Sequence, residues 1–303
     1  MTRTVALMGT FVTIEVVEHT SGHSPAECEA AIERAFHWFH EVERTCTRFD
    51  PSSELMKLSR TTATPVSVGA MLFEAVRFAM VVAADTNGAF DLTMGRRMEA
   101  LGFNREHRSG REIRSAPDAS APVSYRDVLL DESARTIELQ RPLVLDLGAV
   151  AKGLAIDMAA EELAPFVHFA IDAGGDLYLG GRNPRDEPWS VGIRDPRDTQ
   201  QMIESLTVSN RAVCTSGDYE RRSPLDPRAH HILDPATGQS AHEVISATVV
   251  ASSAMMADAL ATAAFVSGPI EGIALLERHG VAGMVVAASM TKLATRGFTR
   301  DFQ

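Results

Sequence analysis

The stretch LVLDLGAVAKGLAID, residues 143–157, carries charged side chains inside an otherwise apolar segment. Its first half predicts a strand that ends at Asp146, Gly148 opens a turn, and a helix begins near Ala149. Lys152 then lies in the first turn of that helix, near the positive end of its dipole, where a cation is disfavoured. A bound anion would reverse the penalty, because free backbone N–H groups and the ammonium would converge on it. The alternative is a lysine that extends to solvent along an amphipathic helix.

Strand and helix patterns surround this stretch on both sides. The predicted strands, identified by alternating or β-branched runs, lie in residues 9–18, 135–140, 142–148, 168–181, 189–195, 205–210, 211–217 and 246–252. The predicted helices, identified by apolar spacing of three and four, lie in residues 24–44, 52–60, 68–86, 149–163 and 254–268. A polar, proline-bearing segment from Arg105 to Ala121 predicts a surface loop.

Strand pairs joined by short turns, with helices between them, indicate an α+β fold in which helices pack on mixed sheets. A dinucleotide-binding Rossmann fold would need a G-x-G-x-x-G motif after the first strand, and that motif is absent. We expect one domain over residues 1–303. A division into two lobes of about 1–120 and 121–303 is the open alternative.

Composition limits the class of protein. The chain has 303 residues, of which 45% are hydrophobic and 23% are charged, as in ordinary globular proteins. A formal net charge of −11 argues against a general nucleic-acid binder. The scattered Cys28, Cys46 and Cys214 indicate neither a disulfide framework nor a thiolate zinc site.

The sequence has no apolar run long enough to span a membrane. The first residues, MTRTVALMGTFVTIEV, are too polar for a secretory signal. We therefore expect a cytoplasmic protein.

Asp258 and Thr262 are four residues apart in a segment of alanines and methionines. On a helix they are neighbours, and their apolar surroundings predict that this face packs inward. Carboxylate, hydroxyl and main-chain carbonyl oxygens suit a hard cation such as Mg²⁺, which shares its ligands with a substrate's phosphates. The alternative is an acid near the helix start that complements the dipole, with a threonine bonded back to the preceding turn.

Further polar side chains lie in turn-rich strings. RAHHILDPATG contains His230 and His231, one of which can act as an acid or base near neutral pH; a structural hydrogen bond is the alternative for either. NGAFDLTMG offers Phe90 as an apolar surface and Asp91 as a polar contact. The arginines of RRSPLDPRA, which begins at Arg221, are expected to form a solvated face; a docking loop for a partner protein is the alternative.

Together, and in this order, the strings MGTFVTIEV, FDLTMG, LDLGAVAKGLAID, DAGGDLYLGG, TSGDYERR, HHILDPATG and ADALATAAFV resemble the ApbE family of FAD:protein FMN transferases. They cover most of the chain from about residue 8 to 280. The resemblance implies a T-fold-like α+β structure with the FAD and metal site in a cleft between the two halves. It also implies transfer of FMN from FAD to a threonine or serine hydroxyl of a target flavoprotein, with AMP as the leaving group and Mg²⁺ required.

Roles for individual residues follow from the resemblance, motif by motif. Those implied to contact FAD are Met8, Ala89, Phe90, Asp91, Asp146, Lys152 and Ile232. The main-chain oxygen of Ala149, with Asp258 and Thr262, would hold Mg²⁺. His231 is favoured over His230 for proton transfer, while Lys152 and the metal held by Asp258 would offset charge on the diphosphate.

Two features depart from the family pattern. Many relatives are exported lipoproteins, whereas this chain begins almost at the first motif, so we expect the target flavoprotein to be met in the cytoplasm or on the cytoplasmic side of a membrane. In addition, Ala261 precedes Thr262 and supplies no extra side-chain ligand.

Two other functions remain open: a Mg²⁺-dependent FAD pyrophosphatase that releases FMN and AMP, and an FAD-binding protein without turnover. The oligomeric state is also open.

Overall fold

The computed structural model describes residues 1–17, 22–106, 110–113, 122–198, 200–298 and 301–302. Its helices are α1 (Pro25–Cys46), α2 (Glu54–Leu58), α3 (Ala70–Asp85), α4 (Gly95–Ala100), α5 (Ala151–Leu163), α6 (Ala254–Ser267) and α7 (Pro269–Arg278). Its strands are β1 (Thr2–Leu7), β2 (Thr10–Val16), β3 (Val66–Ser67), β4 (Val128–Asp131), β5 (Thr136–Leu139), β6 (Phe169–Ala173), β7 (Asp176–Gly180), β8 (Trp189–Arg194), β9 (Met202–Val208), β10 (Arg211–Gly217), β11 (Leu233–Asp234), β12 (Gln239–Ser240), β13 (Val244–Ala251), β14 (Ala282–Ala287), β15 (Lys292–Ala294) and β16 (Asp301–Phe302).

An eight-stranded sheet organises the molecule, in the order β1-β2-β6-β7-β10-β13-β14-β15. Each neighbouring pair in it is antiparallel. Strand β13 is buried along its whole length, because both of its faces are covered. Val249 belongs to a large core shared with α1, α3, α5 and α6. Val250, which points to the opposite face, packs in a second core with residues of β8 and β9.

Smaller sheets complete the architecture. Strands β16, β9 and β8 form a three-stranded sheet in which β16 runs parallel to β9, and β3, β5 and β4 form another. The expected α+β class is confirmed. In the part of the chain that the structure describes, no helix is both long enough and apolar enough to cross a membrane.

Local signals in the sequence account for the helix ends. Ser24 caps α1 through a capping box with Glu27, and Pro25 is its first residue. The expected stop after α3 falls at Asn87 and Gly88, which have φ angles of 50° and 86°. Both angles lie in the left-handed region, which suits asparagine and glycine and ends a helix.

Helices α5 and α6, which carry several of the predicted site residues, are joined by two close contacts. Asp157 of α5 accepts hydrogen bonds from the backbone N–H groups of Ala254 and Met255, at 2.6 Å and 2.9 Å. A Cβ on Gly153 would lie 2.5 Å from the Cα of Met255, so glycine is needed for the backbones to approach.

Two predicted strands differ from the structure. Residues 142–148 form no strand: Leu143, Val144 and Leu145 are buried in succession, and Val144 makes only an isolated bridge to Met94. A run that is buried on every side has the same apolar character as a strand but needs no ladder. Residues 168–181 form the hairpin β6–β7, because Gly174 and Gly175 adopt positive φ angles and turn the chain.

Two other predictions have different outcomes. The loop predicted for residues 105–121 falls largely outside the described residues. The single-domain or two-lobe organisation stays a prediction.

Candidate active site

A cleft of about 420 Å³ brings together all of the site residues predicted from the sequence. Its walls come from the β1–β2 turn, the end of α1, the segment before α4, the start of α5, the ends of β6 and β10, the segment before β11, and α6. The predicted residues among its lining are Met8, Ala89, Phe90, Asp91, Asp146, Ala149, Lys152, His231, Ile232, Asp258 and Thr262.

Asp146 is held in place by an ion pair with Arg48. The Nε of Arg48 donates to Oδ2 of Asp146 at 2.6 Å, and the backbone N–H of Gly148 donates to Oδ1 at 2.8 Å. Arg48 itself is buried and also donates to the carbonyl oxygen of Phe103. Although burial opposes ionisation, Arg48 and these hydrogen bonds lower the pKa of Asp146 below its usual value. The cleft therefore contains a fixed carboxylate beside a guanidinium.

Lys152 lies in the first turn of α5, as predicted, and faces two buried carboxylates. Its ammonium contacts Oδ2 of Asp176 and lies 3.9 Å from Oδ2 of Asp258. Burial raises the pKa of Asp258, and Lys152 opposes that rise. Two carboxylates with one ammonium leave an excess of negative charge in this part of the cleft.

Thr262 follows Asp258 by one helical turn on α6 and also faces the cleft. Its hydroxyl is 3.1 Å from that of Ser216 on β10. Oδ2 of Asp258 is buried and, within the described residues, has no hydrogen-bond partner. A buried carboxylate oxygen without a donor, next to hydroxyl oxygens, fits a hard cation. No group of three or more His, Cys, Asp or Glu suited to a metal occurs in the described part of the chain, so most ligands would be neutral oxygens.

The two adjacent histidines occupy different environments. His230 is 1% exposed, its Nε2 is 2.7 Å from the carbonyl oxygen of Ala241, and its Nδ1 accepts from the backbone N–H of Ile232 at 3.3 Å. His231 lines the cleft beside Phe103, with ring centroids 6.5 Å apart. Burial and then Arg221 lower the pKa of His231 to about 3, so its ring is neutral at neutral pH.

Asp91 lines the cleft, but its carboxylate is used within the protein. It accepts hydrogen bonds from the backbone and hydroxyl of Thr93, both at 2.8 Å, and from the backbone N–H of Tyr125 at 2.9 Å. Burial raises the pKa of Asp91 despite these bonds. Asp91 thus fixes the backbone turn that comes after Ala89 and Phe90 in the wall of the cleft.

Several lining residues were not predicted as site residues. They include Arg48, Phe49, Asp176, Ser216 and Arg221. Asp176 and Ser216 lie in glycine-rich strings whose individual signals are weak. Arg48 lies over the ring of Phe49, 4.3 Å from its centroid, and neither residue belongs to a motif on which the resemblance rests.

The solvated face predicted for residues 221–229 is wrong for its first arginine. Arg221 lines the cleft and is buried enough to lower the pKa of its guanidinium, with Asp146 opposing that effect. Arg222 and Arg228 are exposed, as predicted. Because the preceding strand β10 ends in the cleft, the chain carries only the first arginine inward.

The fold and the cleft define a class of protein: an α+β protein whose cleft combines a buried arginine and a partly buried lysine with a carboxylate–hydroxyl pair suited to a hard cation. Comparison with known proteins is more specific. The chain belongs to the ApbE family, whose model matches residues 8–285. The resemblance found in the sequence is confirmed.

Relatives of known name or structure match nearly the whole chain. An FAD:protein FMN transferase of Treponema pallidum is 31% identical over 317 aligned positions, covering 97% of this chain and 86% of its own length. One from Klebsiella pneumoniae (strain 342) is 27% identical, covering 91% and 81%. The ApbE protein of Thermotoga maritima superposes with a TM-score of 0.85 at 29% identity, covering 98% and 97%. The flavin transferase ApbE from Vibrio cholerae gives 0.83 at 25% identity, with the same coverage.

Proposed function

We propose that this protein is an FAD:protein FMN transferase that moves FMN from FAD to a threonine or serine hydroxyl of a target flavoprotein, with Mg²⁺ as cofactor. The observation that carries the proposal is the single cleft lined by every residue that the ApbE motifs implicate. Similarity to proteins named FAD:protein FMN transferase over nearly the whole chain supports the same reaction.

In the proposed reaction the acceptor hydroxyl oxygen forms a bond to the phosphorus of the FMN half of FAD. The bond from that phosphorus to the oxygen of the AMP half breaks, and AMP leaves. His231 takes the proton of the hydroxyl, because its side chain lines the cleft and its ring is neutral at neutral pH. The phosphates of bound FAD counteract the effect of Arg221 and raise the proton affinity of His231.

The same residues bind and orient FAD in this proposal. The walls of the FAD site are supplied by Met8, Ala89, Phe90 and Ile232. Asp91 fixes the turn that follows Phe90. Asp146, held by Arg48, accepts hydrogen bonds from FAD. Lys152 offsets charge on the diphosphate as the AMP group departs.

Mg²⁺ would be held by Asp258, Thr262 and the main-chain oxygen of Ala149. When bound, it supplies positive charge that stabilises the diphosphate oxygens in the transition state. The buried, unpaired Oδ2 of Asp258 supports this assignment.

A Mg²⁺-dependent FAD pyrophosphatase would use the same residues with water as the acceptor. A flavin-binding protein without turnover would not need the Asp258–Thr262 pair, since binding FAD does not require a metal. The cytoplasmic location expected from the sequence stays a prediction, and so does the absence of nucleic-acid partners.

One experiment separates these functions. The protein is incubated with FAD, Mg²⁺ and a candidate flavoprotein domain, and the mass of the acceptor and the free AMP are measured. We expect the acceptor to gain the mass of an FMN unit, with one AMP released for each unit gained. AMP and free FMN without an adduct would identify a hydrolase, and tight FAD binding without either product would identify a binding protein. An acceptor with its threonine or serine replaced by alanine serves as the control.

A further inference from the structure

The ammonium of Lys152 has two buried carboxylates within reach and lies much closer to one of them. It contacts Oδ2 of Asp176, which is 2% exposed, and stays 3.9 Å from Oδ2 of Asp258, which is 7% exposed. The carboxylate nearer to the lysine is therefore not the one proposed to bind the cation. This arrangement requires something to hold the lysine on that side.

Asp176 is fixed by the neighbouring strand. It is the first residue of β7, which pairs with β10 from Leu177 onward. Just beyond the last paired residues, Oδ1 of Asp176 accepts the backbone N–H of Thr215 at 3.0 Å. This hydrogen bond continues the contact between β7 and β10 past their last paired residues, so the carboxylate of Asp176 is fixed to the central sheet. Lys152 has a flexible four-carbon stem, so its ammonium can follow the fixed carboxylate.

Asp258 would otherwise be an equally good partner for the lysine. Its carboxylate accepts a hydrogen bond from the backbone of Gly153, one residue after Lys152 on α5. An ammonium paired with Asp258 would neutralise it and remove its attraction for a divalent cation. With the ammonium at Asp176, the negative charge of Asp258 is left in a buried site without a donor to Oδ2.

We infer that Asp176 is a positioning residue: it holds the ammonium of Lys152 away from Asp258 and so reserves Asp258 for the cation. The inference rests on the proposed function for the existence of a Mg²⁺ site. It assigns Asp176 no contact with the metal or with FAD.

The test is a double-mutant cycle on Mg²⁺ affinity, measured by titration calorimetry on the full chain without FAD. Asp176→Asn keeps the shape and the acceptor for Thr215 but removes the charge that holds the lysine. We expect the Kd for Mg²⁺ to rise at least about tenfold, because Lys152 then pairs with Asp258. In a Lys152→Met background the same substitution should change the Kd less than about threefold, because no ammonium is left to compete.

Other outcomes overturn the inference in distinct ways. If Asp176 contacts the metal directly, Asp176→Asn should weaken Mg²⁺ binding in the Lys152→Met background as much as in the wild-type background, or more. An unchanged Kd in Asp176→Asn overturns this inference and leaves the Mg²⁺ site intact. Failure of the wild-type protein to bind Mg²⁺ overturns both. Asp172→Asn is the matched control, since it removes a carboxylate from the same hairpin at an exposed position and should leave the Kd unchanged.

A second measurement requires no variant. In a crystal structure of the wild-type protein grown with Mn²⁺, Asp258 should contact the ion while the ammonium of Lys152 remains at Asp176. An ion bound to Asp176, or a lysine displaced from it, would contradict the inference even if Asp176→Asn fails to fold.

Discussion

At the scale of single residues, the two histidines show how neighbours in the chain acquire opposite roles. Both ring nitrogens of His230 lie within hydrogen-bond distance of backbone groups of the segment 232–241. His231 lines the cleft and packs beside Phe103 rather than being held by backbone groups of that segment. The first ring supports the loop, and the second is available for chemistry.

His231→Ala should slow FMN transfer by about 10²–10⁴, the usual value of general acid–base help, while FAD affinity changes little. His230→Ala should instead lower the melting temperature, because it leaves the carbonyl of Ala241 without its partner, and should affect the rate less. Single-turnover rates and thermal melts of both variants decide between these assignments. A large rate loss confined to His230→Ala would reverse them.

Lys152 contributes both to FAD binding and to charge balance. Lys152→Ala should weaken FAD binding about ten- to a hundred-fold, since a charge-assisted contact contributes roughly 1.5–3 kcal/mol. It should also destabilise the protein, because Asp176 and Asp258 lose their shared counter-ion in a buried site. Flavin-fluorescence titration and denaturant unfolding measure the two effects.

A double variant separates the two roles of Lys152. Adding Asp176→Asn to Lys152→Ala should recover much of the stability, because one buried charge is removed with its partner, but should not recover the FAD affinity. If the single variant binds FAD normally, the lysine has no role at the diphosphate.

At the scale of elements, the site depends on how α5 is joined to α6. Asp157 accepts two backbone N–H groups at the start of α6, and Gly153 admits the backbone of that helix. Through these contacts the helix that carries Lys152 sets the position of the helix that carries Asp258 and Thr262.

Asp157 gives this junction a dependence on pH. Burial raises the pKa of Asp157 from 3.8 to about 6, against the two backbone hydrogen bonds that favour its charged form. Between about pH 4 and 6 the folded chain keeps a proton that the unfolded chain has released, so the unfolding free energy falls as the pH rises through this window. The full effect is about 2–3 kcal/mol.

Urea unfolding at several pH values tests this with Asp157→Asn as the comparison. The variant cannot ionise, so the part of the slope between pH 4 and 6 that belongs to Asp157 should be absent from it. Parallel pH profiles of wild type and variant would show that Asp157 does not titrate in this range.

Elements with a strong local signal could be predicted from the sequence, and elements set by tertiary packing could not. Helix α1 has its cap, its proline and its apolar spacing within the segment itself. Residues 142–148 have the apolar character of a strand, yet Leu143, Val144 and Leu145 are buried by surrounding elements with only an isolated bridge from Val144. An apolar run predicts burial, but it does not predict whether the run pairs in a sheet or is covered by other elements.

The same limit applies to the site. The motif residues could be predicted because their strings resemble a family. Arg48 could not, since its importance comes from an ion pair with Asp146, 98 residues away in the chain. Asp176 depends likewise on Lys152 and Thr215, which other elements bring to it.

At the scale of the whole molecule, the site unites residues from both ends of a chain with a net charge of −11. Around Asp258 the described residues keep more buried negative than positive charge, since the single charge of Lys152 faces both Asp176 and Asp258. Folding therefore carries an electrostatic cost that a bound cation would relieve. Stability and metal binding should be linked, since a ligand that binds only the folded state stabilises it.

Asp258→Asn tests that linkage and the metal site together. The fold should survive, because asparagine keeps the shape, and the metal-free protein should melt at the same or a higher temperature than wild type, because an inward charge is removed. Turnover should fall about a thousand-fold or more, since a metal contributes several kcal/mol to the transition state. Thr262→Ala should reduce turnover less than Asp258→Asn does, because a water molecule can partly replace a neutral ligand.

Melting temperature and rate are both measured against Mg²⁺ concentration for wild type and the two variants. Wild type should be stabilised by Mg²⁺, and Asp258→Asn should not. If Asp258 only complements the helix dipole, the forecast is the opposite: a lower melting temperature, near-normal turnover and an unchanged Mg²⁺ midpoint. That result would remove Asp258 from the metal site. The excess negative charge in the cleft would then need another counter-ion, for which bound FAD, itself an anion, is no substitute.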